Sequence, residues 1–112
     1  MIRHCVFVKF RSGVSGDERA EIYAGLAALV GQIDGLISAD FGPNISPESL
    51  AQGFKDGFIM DLVDEAARDR YLVDPAHQAA GARLVAALEG GRDGLIVFDL
   101  QVDHPNLTPP KN

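Results

Sequence analysis

Residues 2–10, IRHCVFVKF, split into two sets by strict alternation. Ile2, His4, Val6, Val8 and Phe10 point one way; Arg3, Cys5, Phe7 and Lys9 point the other. Period two with β-branched and aromatic residues predicts a strand. Downstream, Ser15 followed by Glu18 three residues later is a capping box. Ile22, Leu26, Leu29, Val30 and Ile33 then fall at helical spacing, which predicts a helix over 16–33 with Gly35 as its stop. A second strand, 36–42, ends in Gly42-Pro43-Asn44, and turn formers carry a loop to Gly53. Strand three, 54–62, alternates again, with Phe54, Asp56, Phe58, Met60 and Leu62 on one face. Asp64 caps a short helix reaching Val73. Asp74-Pro75 restarts the chain as a cap followed by a first-turn proline, opening a helix to about Glu89 with His77, Gly81, Leu84 and Leu88 on one stripe. The glycine-rich 90–94 leads from helix into strand, so it is a turn rather than a phosphate loop. Strand four is 95–102, and the tail HPNLTPPKN is too rich in proline for regular structure.

The order strand, helix, strand, strand, helix pair, strand predicts a ferredoxin-like α+β fold. Its four-stranded antiparallel sheet has order 4-1-3-2 and helices on one face, with strands one and three as central and, on this reading, parallel neighbours. Residues 1–103 form the domain and 104–112 an extended tail. If Val6, Val8, Phe58, Met60, Leu95 and Val97 meet the helices, then Cys5, Phe7, Ile59, Ile96, Phe98, Leu100 and Val102 face away. Each such side chain left in water forfeits roughly 1.5–3 kcal/mol, and together they exceed an ordinary monomer patch. Packing that face on a second copy predicts a homodimer, two sheets closing as an α+β barrel.

Composition narrows the function classes. The chain has 112 residues, 46% of them hydrophobic and 23% charged, which fits one globular domain. A net charge of −6 without a basic run argues against nucleic acid and against an anionic membrane surface. Cys5 is the single cysteine, so no intrachain disulfide forms, and a free thiol suits a reducing compartment. With no signal-peptide core and no run of ~20 apolar residues, the expected location is the cytoplasm.

Four segments carry a family resemblance: His4 within HCVFVKF, Gly53–Leu62 (GFKDGFIMDL), Tyr71–His77 (YLVDPAH), and the closing LIVFDLQV. In their order and spacing the chain resembles the stress-responsive A/B-barrel (Dabb) family over nearly all but the tail. The resemblance implies a dimeric α+β barrel with a cavity between sheet and helices. Most members have no known activity, but the family includes the polyketide cyclase that forms olivetolic acid, a cofactor-free aldol-type enzyme using a histidine and a tyrosine. His77 and Tyr71 match that pair by position and His4 matches a third pocket residue. The chain departs from the pattern at Asp74, where the family often has histidine, and at Gln78 and Ala80, where the cyclase carries larger side chains.

His77 and Tyr71 are therefore the candidate catalytic residues. A neutral imidazole in the first turn of a helix should have a lowered pKa, since the dipole disfavours added positive charge, and that suits a general base. The alternative is a histidine satisfied by a loop carbonyl. Tyr71 is either an oxyanion donor or a core aromatic. His4 and Asp56, each third in its strand, are expected to touch across parallel neighbours, favouring the imidazolium; the alternative is a buried polar pair that sets register. With them, Val6, Val8, Phe58, Met60, Leu95 and Val97 are the expected walls of a small enclosed ligand pocket. No HxH or HxxxH spacing points to a metal, no cofactor is implied, and Cys5 reads as a small buried hydrophobe. The functional expectation is a pocket for a small apolar ligand, used by a cofactor-independent lyase, cyclase or isomerase on a carbonyl compound. The alternatives are a non-catalytic ligand-binding or stress-assembly protein and a cofactor-free monooxygenase.

Overall fold

The order of elements in the computed structural model, which describes residues 1–103, is β1 (Ile2–Val8), α1 (Gly16–Ala27), β2 (Leu36–Pro43), β3 (Asp56–Leu62), α2 (Glu65–Val73), α3 (Pro75–Ala86) and β4 (Leu95–Gln101). A 3₁₀ turn, Gly91–Gly94, precedes β4. The expected tail, 104–112, lies outside the described residues. The sheet order is β2-β3-β1-β4, as the alternation and crossovers predict.

The direction of the two central strands differs from expectation. β1 and β3 are antiparallel, with His4 opposite Met60 and Val8 opposite Asp56. α1 returns the chain to the end where β1 began, so β2 runs with β1, and the β2–β3 hairpin then reverses β3. A fourfold alternation of direction follows, with β4 antiparallel to β1 on its other edge. α1 is also shorter than its apolar stripe. The helix ends at Ala27, and a chain of tight turns carries Leu29 and Ile33 into the core all the same. The second helix of the pair likewise stops at Ala86 rather than near Glu89.

Local chemistry explains each helix start. The Ser15 hydroxyl accepts from Glu18 N at 3.0 Å, and the Asp64 carboxylate accepts from Ala67 N at 2.8 Å. Asp74 accepts from both Ala76 N (2.8 Å) and His77 N (3.3 Å), with Pro75 in the first turn. The core lies between the helices and the sheet face bearing Val6, Val8, Phe58, Met60 and Leu62, against Ile22, Leu26, Ala67, Tyr71 and Leu84. On the opposite face Cys5 is buried within the sheet itself, while Ile96, Phe98 and Leu100 are exposed, Phe98 by 44%. Phe7 and Phe98 touch there, ring centroids 5.8 Å apart. Gly57 makes room for this, since a Cβ on it would stand 2.8 Å from the Phe7 ring. No helix among the described residues is long and apolar enough to cross a membrane.

Met60 has no solvent exposure and sits at the centre of this core. Met60→Ala should lower the unfolding free energy by about 2–5 kcal/mol, read as a lower urea midpoint at unchanged slope.

Candidate active site

The break between α2 and α3 brings the candidate residues together. Tyr71 lies in the last turn of α2 and His77 in the first turn of α3, turned back by the Asp74-Pro75 corner. Their rings stack, centroids 3.9 Å apart and planes tilted by 33°. The edge of His4 meets Tyr71 from the sheet side at 5.5 Å. These three rings close one end of a cleft of about 960 Å³ between α3 and the helix-facing side of the sheet, within the range of small-molecule sites. The cleft is open to solvent rather than enclosed, because its β4 wall is the sheet edge and Val97 there is half exposed.

Of the expected walls, Val6, Phe58, Leu95 and Val97 line the cleft with His4, Tyr71 and His77. Val8 and Met60 do not; both are fully buried in the core. Asp56 lies elsewhere, opposite Val8, with Arg19 Nη1 at 3.7 Å. The expected His4–Asp56 contact is absent, because antiparallel pairing places the third residue of β1 against the far end of β3. The carboxylate that does meet His4 is Asp99 on β4, its Oδ1 2.7 Å from Nδ1. Arg68 of α2 holds the other oxygen at 2.9 Å. Burial would raise the Asp99 pKa, but hydrogen bonds from His4 and Arg68 outweigh it and hold the carboxyl below its ordinary range. An ionised carboxylate only accepts, so Nδ1 of His4 carries a proton and Nε2 is left for the cleft.

Sequence reasoning missed Asp99, yet a signal existed. In LIVFDLQV it is the one acid on the alternation shared by Leu95 and Val97, a charge set on an apolar face. Arg92 also lines the cleft; it belongs to the turn that reads as punctuation, and nothing local in the sequence tells which way such a turn faces.

His77 is the least satisfied group here. Its pKa is lowered, first by burial and then by His4. The nearby carbonyls of Leu72 and Tyr71 and the carboxylate of Asp74 oppose the shift, while Nδ1 is buried with no partner in hydrogen-bond geometry. Its Nε2 looks along α3 to Gly81, where a Cβ would stand 4.0 Å away; the missing side chain keeps the cleft open beside the ring. Burial alone pushes the Tyr71 phenol up, which keeps its proton in place as a donor. The arrangement supplies a neutral base, a phenol donor beside it, and a carboxylate-oriented second imidazole.

The family model described as the stress responsive A/B barrel domain matches residues 2–102. The chain belongs to the stress-responsive A/B barrel (Dabb) family. The stress-response A/B barrel domain-containing protein HS1 of Arabidopsis thaliana is 28% identical over 98 residues, covering 88% of this chain and 86% of that protein. A dimeric ferredoxin-like protein of unknown function from Jannaschia sp. CCS1 is 36% identical with a TM-score of 0.83, over 90% of this chain and 98% of that one. A hydroxynitrile lyase from Passiflora edulis, 19% identical with a TM-score of 0.80 over 96% of each chain, shares the fold alone.

The lowered pKa of His77 has a definite sign in stability. Charging His77 is harder in the fold than in the unfolded chain, so its contribution is independent of pH above about 6.5, where both states are neutral, and stability declines as pH falls below that. His77→Gln should flatten this part of the acid-side decline of unfolding free energy, measured by urea titration at a series of pH values. In the unaltered protein, the ring protons of His77 should titrate below the ordinary histidine range by NMR.

Proposed function

We propose that the cleft binds a small apolar carbonyl compound and catalyses proton abstraction next to its carbonyl, as a cofactor-independent lyase, cyclase or isomerase. The observation that carries this reading is the His77 ring lining the cleft against Tyr71, with Nε2 beside the space left by Gly81 and the pKa lowered. Nε2 takes the proton from the carbon beside the carbonyl, and the C–H electron pair passes into an enolate. The Tyr71 hydroxyl donates to the enolate oxygen, and the buried setting strengthens that bond. Returning the proton to the same carbon gives exchange, returning it elsewhere gives isomerisation, and expelling or attacking a second group gives lyase or cyclase chemistry. That a lyase exists on this scaffold, the Passiflora edulis enzyme, is a fold-level analogy that agrees with this chemistry.

We propose in addition that the chain is a homodimer joined through the outer sheet face. The support is the outer-face apolar set of exposed Ile96, Phe98 and Leu100 with the partly exposed Phe7 and Ile59, a clustering that favours an interaction surface, together with the dimeric state of the Jannaschia relative.

The catalytic reading is tested by deuterium exchange of simple apolar ketones in heavy water, followed by NMR. The protein should accelerate exchange at the carbons flanking the carbonyl, and His77→Gln should reduce the acceleration by about 10²–10⁴-fold. Tyr71→Phe should cost about 10²–10³-fold. The rate should hold as pH falls through the ordinary histidine range and drop only below it. Acceleration that survives His77→Gln removes the assignment. For the dimer, light scattering should give twice the chain mass, and Phe98→Asp should halve it; an unaltered protein that runs as a monomer ends that proposal.

A further inference from the structure

Gly81 stands in the middle of α3, where glycine is a poorer helix former than alanine. The two usual reasons for a glycine inside an element are missing. Its backbone is helical rather than left-handed, and no neighbour needs the room. A Cβ on it would meet nothing nearer than Nε2 of His77, 4.0 Å away, which is ordinary van der Waals distance. At Gly57 and Gly94 the packing does demand glycine, since a Cβ would stand 2.8 Å from the Phe7 ring and 2.7 Å from the Glu89 carbonyl oxygen. Gly25 of α1 also lacks both reasons, but it faces solvent, where a missing side chain opens no site. Gly81 is partly buried and lines the cleft.

The space beside Gly81 is therefore part of the cleft, and it borders the ring nitrogen of His77 that looks along the helix. Residues three and four places on are the next neighbours on a helix surface; here they are Leu84 and Val85, and Val6 and Val97 of the sheet line the same cleft. On that side the walls are hydrocarbon. A carbon that gives its proton to Nε2 approaches to about 3–3.5 Å. Whatever group that carbon carries toward α3 competes for space with any side chain at position 81. An alanine methyl would take the nearest part of that space, and a branched valine side chain more of it.

We infer that Gly81 determines specificity: the substrate carries a hydrocarbon substituent on the carbon that loses its proton, and the glycine makes room for it. This rests on proton abstraction by His77 in the cleft, as proposed above, and narrows the substrate class to ketones branched beside the carbonyl. The probe is 2-propylcyclohexanone, with unsubstituted cyclohexanone as the reference. NMR titration of the unaltered protein should show the propyl ketone binding about ten- to fiftyfold more tightly, as three buried carbons predict. Gly81→Val should erase that preference. Gly81→Ala should reduce it in part, while its higher urea midpoint shows that the fold accepts a side chain there. Equal binding of the two ketones, failure of both to bind the unaltered protein, or a preference that survives Gly81→Val each overturns the inference. If Gly81→Val binds neither ketone, Gly81→Ala decides, and an unchanged preference there overturns the inference. Deuterium exchange on the same ketone separates the two readings. A preference that depends on Gly81 without exchange removes the base and keeps the substituent site. Exchange that depends on His77 without a preference removes the substituent site and keeps the base.

Discussion

Everything in this fold is registered to β1. Both of its edges are hydrogen-bonded, to β3 on one side and β4 on the other, and both pairings are antiparallel. Because side chains alternate across a strand, a slip of one residue would turn His4, Val6 and Val8 to the outer face and Arg3, Cys5 and Phe7 inward. Burial prevents that slip, since Val6 and Val8 are in the core and Arg3 is held outside by Asp61 at 3.0 Å. Ser38 of β2 reaches the same Asp61 at 3.3 Å, so the outer polar cluster ties three strands in one register.

The same register decides the electrostatics of the cleft. His4 is the one buried polar residue of the described core, and a buried imidazole needs a partner to offset its desolvation. Asp99 supplies it because β4 pairs with β1 at that row, and Arg68 of α2, ion-paired to the other oxygen of Asp99, extends the network from sheet to helix. His77, one ring further from the sheet, is outside this network. An unpartnered buried nitrogen costs about 1–3 kcal/mol, and such a cost is retained where a neutral, available base is useful. The Tyr71 ring touches both imidazoles, that of His77 at 3.9 Å and that of His4 at 5.5 Å between ring centroids.

The two faces of the sheet meet different demands. The inner face is covered by α1, α2 and α3, leaving open only the cleft that α3 does not fill, where Gly81 removes one side chain. Among the described residues, no helix lies over the outer face. Its aromatic pair, Phe7 and Phe98, touches there at a 48° tilt, and the Phe7 ring has its place because Gly57 beside it has no Cβ.

Much of this was legible locally. Alternation marked β1 and β3; Ser15, Asp64 and Asp74 marked the helix starts; and the strand order followed from right-handed crossovers. His77, Tyr71 and His4 stood out as polar rings on apolar stripes or strands, and the chain brings them together. What failed was anything needing the relative direction of distant strands. His4 was matched to Asp56 by counting from the strand starts, a count that is valid only for parallel neighbours. The partner, Asp99, is 95 residues away in sequence, and only the pairing of β4 sets it beside His4. The facing of Arg92 was likewise undecided, since a glycine-rich turn has no periodicity from which to read a direction. Element identity is set by short-range sterics and caps, which the sequence by itself determined. The composition of the cleft depends on which rows of separate strands and helices meet, and only the tertiary structure decides that.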